Sequence, residues 1–324
     1  MSREGVMLSS LAIIFVCLAA GWLFRRIQES GRVPLNQAQF DGLRHFLQSI
    51  AIFFFMPLAA MLSLWGLKHP DARLLGVPLL GFMSYIAGGG LALLAARVLK
   101  MDRKQTGSFF CCGTFTNIGA IGGLVCLLYI GEETIALVVL YRLVEELYFF
   151  GVAFPVAQWF AREREDGSGL GRFRLGPAVY LIVLALLSGI ALNLCGVARP
   201  AFLGSIAALA IVLCTVSLLF AIGMTLRFSR VGDYKAAALV MCAIKFIGVP
   251  LIVASVAIWA GYGRDGGEIL RAVVILAAMP IAMTALVPPA LFGLDVDLAN
   301  SCWIVTTAGL IVVLPALVLI LPLL

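Results

Sequence analysis

Polar residues stand in the middle of a segment that is otherwise suited to cross a membrane. The stretch "CGTFTNIGAIGG" (112–123) gathers two threonines, an asparagine and four glycines, and its candidate binding residues are Thr114, Thr116, Asn117, Gly119 and Gly122. Asparagine offers hydrogen-bond donors and acceptors, and glycine weakens a helix, so the backbone can leave helical geometry where it faces protein or water. Backbone N–H groups at the start of a helix suit an anion. The motif therefore predicts a binding site.

A second segment, "AAMPIAMTALVPP" (277–289), carries Pro280 and Thr284 at a comparable depth. Pro280 cannot donate to the hydrogen-bond ladder of a helix. Taken alone, each segment also fits a close-packed or kinked helix. Their matching positions favour two interrupted helices that meet near the bilayer centre, with their N-termini directed at a ligand.

Four charged residues also lie within apolar segments. Lys245 would cost several kcal/mol if it faced lipid, so it should face the interior, where it neutralises helix carbonyls or attracts an anion. Arg142 and Glu146 have helical i, i+4 spacing, and Glu145 shares nearly the same face. Two acids face one arginine in this trio, so one acid is in excess and could titrate or hold a cation. A purely structural role for the pairing is an equal alternative.

The composition places these residues in a membrane protein. The 324 residues are 62% hydrophobic and 12% charged, and the mean hydropathy is +1.08. Repeated apolar runs without strand-like alternation predict an all-α membrane fold. The eight cysteines show no paired metal spacing, and two histidines leave little for enzyme chemistry. We expect no enzyme, no cofactor, no metal and no nucleic-acid partner.

Apolar runs between charges predict ten transmembrane spans. They cover approximately 7–24, 43–66, 74–97, 106–129, 134–160, 176–196, 201–226, 235–260, 268–292 and 298–322.

The basic residues predict the orientation of these spans. Of the 23 Lys and Arg residues, fifteen fall on one side and six on the other, with Arg142 and Lys245 inside spans. The sequence therefore predicts a multi-pass protein of the plasma or inner membrane. The positive-inside rule places both of its termini outside and the 162–175 connector in the cytosol. Arg25 and Arg26 after the first run predict that this helix is retained.

The chain divides into two similar halves, 1–161 and 176–324, joined by the connector. "LLYIGEETIALVVLY" (127–141) is similar to "ALFGLDVDLANSCWIV" (290–305), and each comes at the corner before the last span of its half. Five spans per half is an odd number, so the second copy must enter the membrane the opposite way up. This predicts an inverted repeat, as in many secondary transporters.

At these residues the sequence resembles the auxin efflux carrier family, which includes plant PIN-type carriers and bacterial malonate and malate permeases. The family pattern N-x-G-x-x-G-x-P is matched by Asn117, Gly119 and Gly122, with Leu124 in place of the proline. "GEETIALVVLYRLVEELYFF", "SLLFAIGMTLRFSR", "KFIGVPL" and "AAMPIAMTALV" are similar to its later segments, and the likeness covers nearly the whole chain.

The resemblance implies ten helices in a fold of the bile-acid-symporter and sodium/proton-antiporter type, with spans 4 and 9 crossing. It also implies elevator-like carriage of small organic anions. The sequence departs from the family pattern where the site is expected, at Leu124, Arg142, Glu145, Glu146 and Thr284. These departures leave the substrate and the coupling ion open.

The leading prediction is a secondary carrier for a small organic anion, with a carboxylate favoured. Its expected partners are that anion and the lipid bilayer, and a homodimer is an option. One alternative is a cation- or proton-coupled exchanger that uses Glu145 or Glu146. The other is a membrane sensor that binds its ligand at the same place without transporting it.

Overall fold

In a computed structural model, the chain is described over residues 3–32, 36–66, 72–161, 177–224, 231–264 and 267–323. These residues are almost entirely helical. The predicted connector 162–175 lies outside them, and so do the side chain of Glu146 and the basic residues Lys68, Arg227 and Arg230.

Sixteen α-helices follow one another along the described residues. In chain order, α1 to α16 are Arg3–Glu29, Gln37–Ile50, Met56–Trp65, Val77–Val98, Arg103–Thr114, Gly123–Tyr129, Thr134–Tyr141, Glu145–Tyr148, Phe154–Ala161, Pro177–Leu194, Phe202–Gly223, Lys235–Ala243, Val249–Trp259, Glu268–Ala277, Val287–Phe292 and Val296–Ile320. Four π-helical turns are Ala51–Phe55, Ile118–Gly122, Phe149–Ala153 and Ile244–Gly248, and three 3-10 turns are Ala72–Gly76, Met283–Leu286 and Leu321–Leu323.

Six helical stretches among the described residues are long and apolar enough to cross a membrane. They are Leu11–Glu29, Gln37–Trp65, Arg73–Val98, Phe202–Gly223, Lys235–Trp259 and Val296–Leu323. The chain is therefore an all-α, multi-pass membrane protein, as its composition predicts. The count of ten spans in two inverted repeats stays a prediction.

Three of the other predicted spans are interrupted. Span 4 divides into α5, the turn Ile118–Gly122 and α6, and span 9 divides into α14, the turn Met283–Leu286 and α15. Span 5 was expected to be continuous, but α7 ends at Tyr141 and α8 begins at Glu145. The chain tightens there into i, i+3 hydrogen bonds, of which one runs from the Glu145 N–H to the Arg142 carbonyl at 2.9 Å.

Polar caps fix where several helices begin. Asn36 accepts from the Gln39 N–H at 2.8 Å, and the Gln39 side chain accepts from the Asn36 N–H at 3.0 Å. This capping box starts α2 at Gln37, six residues before the predicted span. Asp102 forms the same box with Gln105 at the start of α5.

The chain forms two compact units that alternate along the sequence. The first comprises 1–70, 119–139 and 176–227, and the second comprises 71–118, 140–175 and 228–324. Each unit draws on both predicted halves of the chain. The compact units are defined by packing and the predicted halves by sequence similarity. The units therefore do not test the boundaries of the halves, which stay predictions.

In the first unit, the end of α3 is held by side chains from another part of the chain. Arg199 donates to the Leu62 carbonyl at 2.9 Å, and Asn193 donates to the Trp65 carbonyl at 3.0 Å. The Trp65 indole N–H donates to the Val197 carbonyl at 2.7 Å. The bond from Asn193 gives the Trp65 carbonyl a partner, which the last turn of a helix does not supply.

In the second unit, α4 and α5 approach closely through a pair of glycines. A Cβ at Gly88 would overlap the Gly113 carbonyl oxygen, and a Cβ at Gly113 would overlap the Gly88 carbonyl oxygen. Gly90, on the same helix, has nothing within 4 Å of the same position. Small residues permit this contact, because packing rather than a hydrophobic gradient holds helices together in lipid.

Gly88→Ala is therefore expected to destabilise the protein by about 1–3 kcal/mol, because the added methyl group must push two backbones apart. Gly90→Ala is the matched control and should be neutral or slightly stabilising, since alanine favours a helix. Thermal unfolding of both variants in the same detergent tests the contact. Equal unfolding midpoints for the two would contradict it.

Candidate functional site

The two helix breaks pair with each other inside the second unit. Residues 115–117 run antiparallel to residues 280–282, around an isolated bridge between positions 116 and 281. The Asn117 N–H donates to the Pro280 carbonyl at 2.8 Å, and the Ala282 N–H donates to the carbonyl of residue 115 at 3.2 Å. Each break thus supplies partners for backbone groups that the other leaves without a helical partner.

Local sequence explains why each helix stops at this point. Phe115 follows α5 with an extended backbone (φ −89°, ψ 131°), and Ala282 is extended as well (φ −72°, ψ 149°). Pro280 removes one donor and disfavours helical geometry in the residue before it. Two short extended segments result, and extended segments can bridge.

Lys245 is fully buried beside the first break. Its ammonium donates to the Gly113 carbonyl at 2.7 Å and to the Thr116 hydroxyl at 2.9 Å. Gly113 belongs to the last turn of α5, so its carbonyl is at the negative end of the helix dipole, where a cation is favourable.

An ammonium has three N–H donors. Among the described residues, the third donor of Lys245 has no hydrogen-bond partner beyond these two acceptors. The lysine itself lies in the π-helical turn Ile244–Gly248, and such turns often occur at functional positions.

Helix α16 contributes residues that the sequence reasoning missed. The Thr306 hydroxyl lies 3.4 Å from the Ile281 N–H and donates to the Cys302 carbonyl at 2.9 Å. The neighbouring Thr307 hydroxyl and the Trp303 indole N–H are buried and have no hydrogen-bond partner among the described residues. Their signal in the sequence is the adjacent pair of threonines within an apolar run.

The structure brings together four of the predicted binding residues: Thr116, Asn117, Pro280 and Lys245. All four are buried.

The other four predicted binding residues make none of these contacts. Thr114 is buried at the end of α5, whereas Thr284 is exposed in the turn Met283–Leu286. Gly119 and Gly122 lie in the π-helical turn Ile118–Gly122, on residues that belong to the first unit.

The structure describes one contact within the charged trio. Arg142 donates from Nε to Glu145 Oε2 at 2.7 Å, an i, i+3 contact, and Glu145 is 7% exposed. Residues at i and i+3 share one face of a helix, so this contact agrees with the predicted placement of Glu145 near Arg142. The predicted partner Glu146 has a side chain outside the described residues.

Aromatic rings connect this charged pair with the first helix break. Tyr148, one turn after Glu145, lies 5.5 Å from Tyr85 between ring centroids. Tyr85 lies 6.5 Å from Phe115, and Phe115 lies 4.9 Å from Phe149. The pair and the break therefore share one packed region of the second unit.

Among the described residues, no three His, Cys, Asp or Glu side chains come together as a metal site requires. The candidate site consists of backbone dipoles, hydroxyls, an amide and one ammonium. These groups can bind and orient a small polar ligand.

Comparison with known proteins supports a membrane transporter. The chain is 26% identical over 243 residues to a protein named "Uncharacterized transporter" from Methanothermobacter thermautotrophicus, and the match covers 74% of this chain and 76% of that protein. No protein-family model matches the chain.

Proposed function

We propose that this protein, similar along three quarters of its length to an archaeal transporter, is a secondary carrier for a small organic anion. A carboxylate is the favoured substrate. The observation that carries the proposal is the pairing of two interrupted helices beside a fully buried lysine. In secondary transporters, discontinuous helices of this kind form substrate sites.

The chemistry of the paired breaks supports an anionic ligand. Within the second unit, Ile118 is the first helical residue after one break, and the turn Met283–Leu286 follows the other. Helix N-termini carry unpaired N–H groups and a partial positive charge. The Asn117 amide adds a donor, and Lys245 supplies a full positive charge to the same region.

The proposed mechanism is alternating access of the elevator type, in which one body carries the substrate past another. The division of the chain into two interleaved compact units supports a mechanism that needs two bodies. Ten helices in two inverted repeats, with spans 4 and 9 crossing, form the proposed architecture. Membership of the auxin efflux carrier family belongs to the same proposal and rests on the motifs around Asn117 and Pro280.

Transport in proteoliposomes tests this function. The purified protein is assayed with labelled mono- and dicarboxylates, with an imposed pH gradient, a sodium gradient or none, against protein-free liposomes. We expect saturable uptake of at least one carboxylate. Saturable binding without uptake or exchange under every gradient would overturn the carrier and favour a sensor.

A second candidate is a cation- or proton-coupled exchanger that uses Glu145 or Glu146. A carboxylate that titrates during transport must separate from its partner. The contact between Arg142 Nε and Glu145 Oε2, at 2.7 Å, instead closes one end of the carboxylate and supports a structural role.

Glu145→Gln is expected to lower the free energy of unfolding by about 1.5–3 kcal/mol, because it removes the charged acceptor that Arg142 Nε contacts at 2.7 Å. The double variant Arg142→Gln/Glu145→Gln is the matched control and should recover part of this loss. The dependence of uptake on the pH gradient should stay unchanged in both. Loss of that dependence in Glu145→Gln with stability retained would support the exchanger.

A further inference from the structure

A polar cavity of about 360 Å³ lies within the first unit, between the end of α1 and the start of α2. Each helix contributes an arginine, a carboxylate and a glutamine. These residues are Arg25, Gln28 and Glu29 from α1, and Gln37, Asp41 and Arg44 from α2. Within each helix they are spaced three and four residues apart, which places them on one face. The volume is in the range of small-ligand sites.

The charges of the cavity are balanced in two separate pairs. Arg25 lies 2.8 Å from Glu29, and Arg44 lies 3.2 Å from Asp41, with all four side chains between 18% and 44% exposed. A bare anion would meet two carboxylates beside the arginines, and a bare cation would meet two arginines. A ligand with one negative and one positive group complements both pairs.

The cavity lies at the end of a candidate membrane span, Leu11–Glu29. This is the depth at which phospholipid headgroups surround a helix. Phe40 lines the cavity and stacks on Phe24, with ring centroids 5.8 Å apart. Phe40 and Met224 thus give the cavity an apolar wall beside its charged residues.

A contact typical of the membrane interface occurs on the same turn of α1. The Arg26 guanidinium lies 5.3 Å from the centre of the Trp22 ring. Tryptophan and arginine are characteristic anchors at the level of the headgroups. This position favours a lipid over a soluble metabolite as the source of the ligand.

We infer that the cavity binds the headgroup of a zwitterionic phospholipid that carries a primary ammonium, as in phosphatidylethanolamine. Arg25 and Arg44 hold the phosphate, since the guanidinium group matches phosphate oxygens in a bidentate manner. Glu29 and Asp41 accept hydrogen bonds from the ammonium. A choline headgroup has no N–H to donate, so the site discriminates against it. The inference does not depend on what the second unit transports.

The test uses the full-length protein, delipidated in detergent. Its unfolding midpoint is measured against short-chain phosphatidylethanolamine, phosphatidylcholine and phosphatidylglycerol, and against soluble glycerophosphoethanolamine. We expect phosphatidylethanolamine to stabilise at the lowest concentration. Equal stabilisation by phosphatidylcholine, or a preference for phosphatidylglycerol, would overturn the inference. Glycerophosphoethanolamine as effective as the lipid would overturn the lipid source.

Variants then assign the contacts. Arg44→Gln should weaken the apparent affinity for phosphatidylethanolamine about tenfold, as expected for loss of one charge-assisted hydrogen bond. Asp41→Asn should reduce the preference over phosphatidylcholine. Arg32→Gln removes an exposed charge near the cavity that does not line it, and should change neither. Unchanged lipid affinity in folded Arg44→Gln would show that the cavity is not the binding site.

Discussion

Asn117→Leu is expected to reduce substrate uptake by more than tenfold while the protein still inserts and folds. Asn117 is buried at the first helix break, and its N–H already bonds to the Pro280 carbonyl. Leucine keeps that backbone bond and suits an apolar setting, but it removes every side-chain donor and acceptor. A hydrogen bond to a charged ligand contributes about 1.5–3 kcal/mol, which is a tenfold effect or more.

The matched control is Asn193→Leu, in the first unit. The Asn193 side chain donates to the Trp65 carbonyl at 3.0 Å, so its loss should cost stability and leave uptake per folded molecule unchanged. Uptake is measured in proteoliposomes and normalised to the monodisperse protein recovered. Normal uptake by Asn117→Leu would place the substrate elsewhere.

The interruptions of spans 4 and 9 could be predicted because their causes are local. Pro280 cannot donate to a helix, and the glycines after Asn117 weaken one. The antiparallel bridge between Thr116 and Ile281 could not be predicted, because it requires two segments far apart in sequence to meet. The same reason hid Thr306, whose hydroxyl lies near the Ile281 N–H.

The break in span 5 has no local cause that the sequence shows. Residues 134–141 are apolar or aromatic apart from Thr134, and none of them is a strong helix breaker. Helical spacing places Glu145 on nearly the same face as Arg142, and the i, i+3 contact between them agrees with that placement. The i, i+4 pairing of Arg142 with Glu146 stays a prediction, because the Glu146 side chain lies outside the described residues.

The polar cavity between α1 and α2 could not be predicted from the sequence. Arg25 and Arg44 could be assigned to one side of the membrane from the distribution of basic residues alone. That rule treats each arginine as a charge near a helix end. Each arginine has its carboxylate on its own helix, at i, i+4 or i, i+3 spacing, but their joint role requires α1 and α2 to bring the two pairs together, which depends on packing within the first unit.

Lys245→Gln is expected to cause the largest loss of stability among the proposed variants, about 3 kcal/mol or more. It removes the positive charge from a fully buried position and leaves the Gly113 carbonyl and the Thr116 hydroxyl without the ammonium that binds both. Each buried acceptor that is left unsatisfied costs about 1–3 kcal/mol. Lys235→Gln, at the exposed start of α12, is the control and should leave the unfolding midpoint unchanged.

The two possible roles of Lys245 separate when the unfolding midpoint is measured with and without substrate. Its two described acceptors both belong to the protein, so neutralisation of the α5 end should dominate whether or not substrate is bound. The third N–H leaves room for a direct contact with the anion. Lys245→Gln should therefore lose much stability without substrate and a smaller part of the substrate-induced stabilisation.

Lys245→Arg keeps the charge and should bind substrate better than Lys245→Gln, although its planar group fits the site less well. Undiminished substrate stabilisation in Lys245→Gln would exclude direct anion binding and leave the helix N-termini and Asn117 as the contacts of the anion.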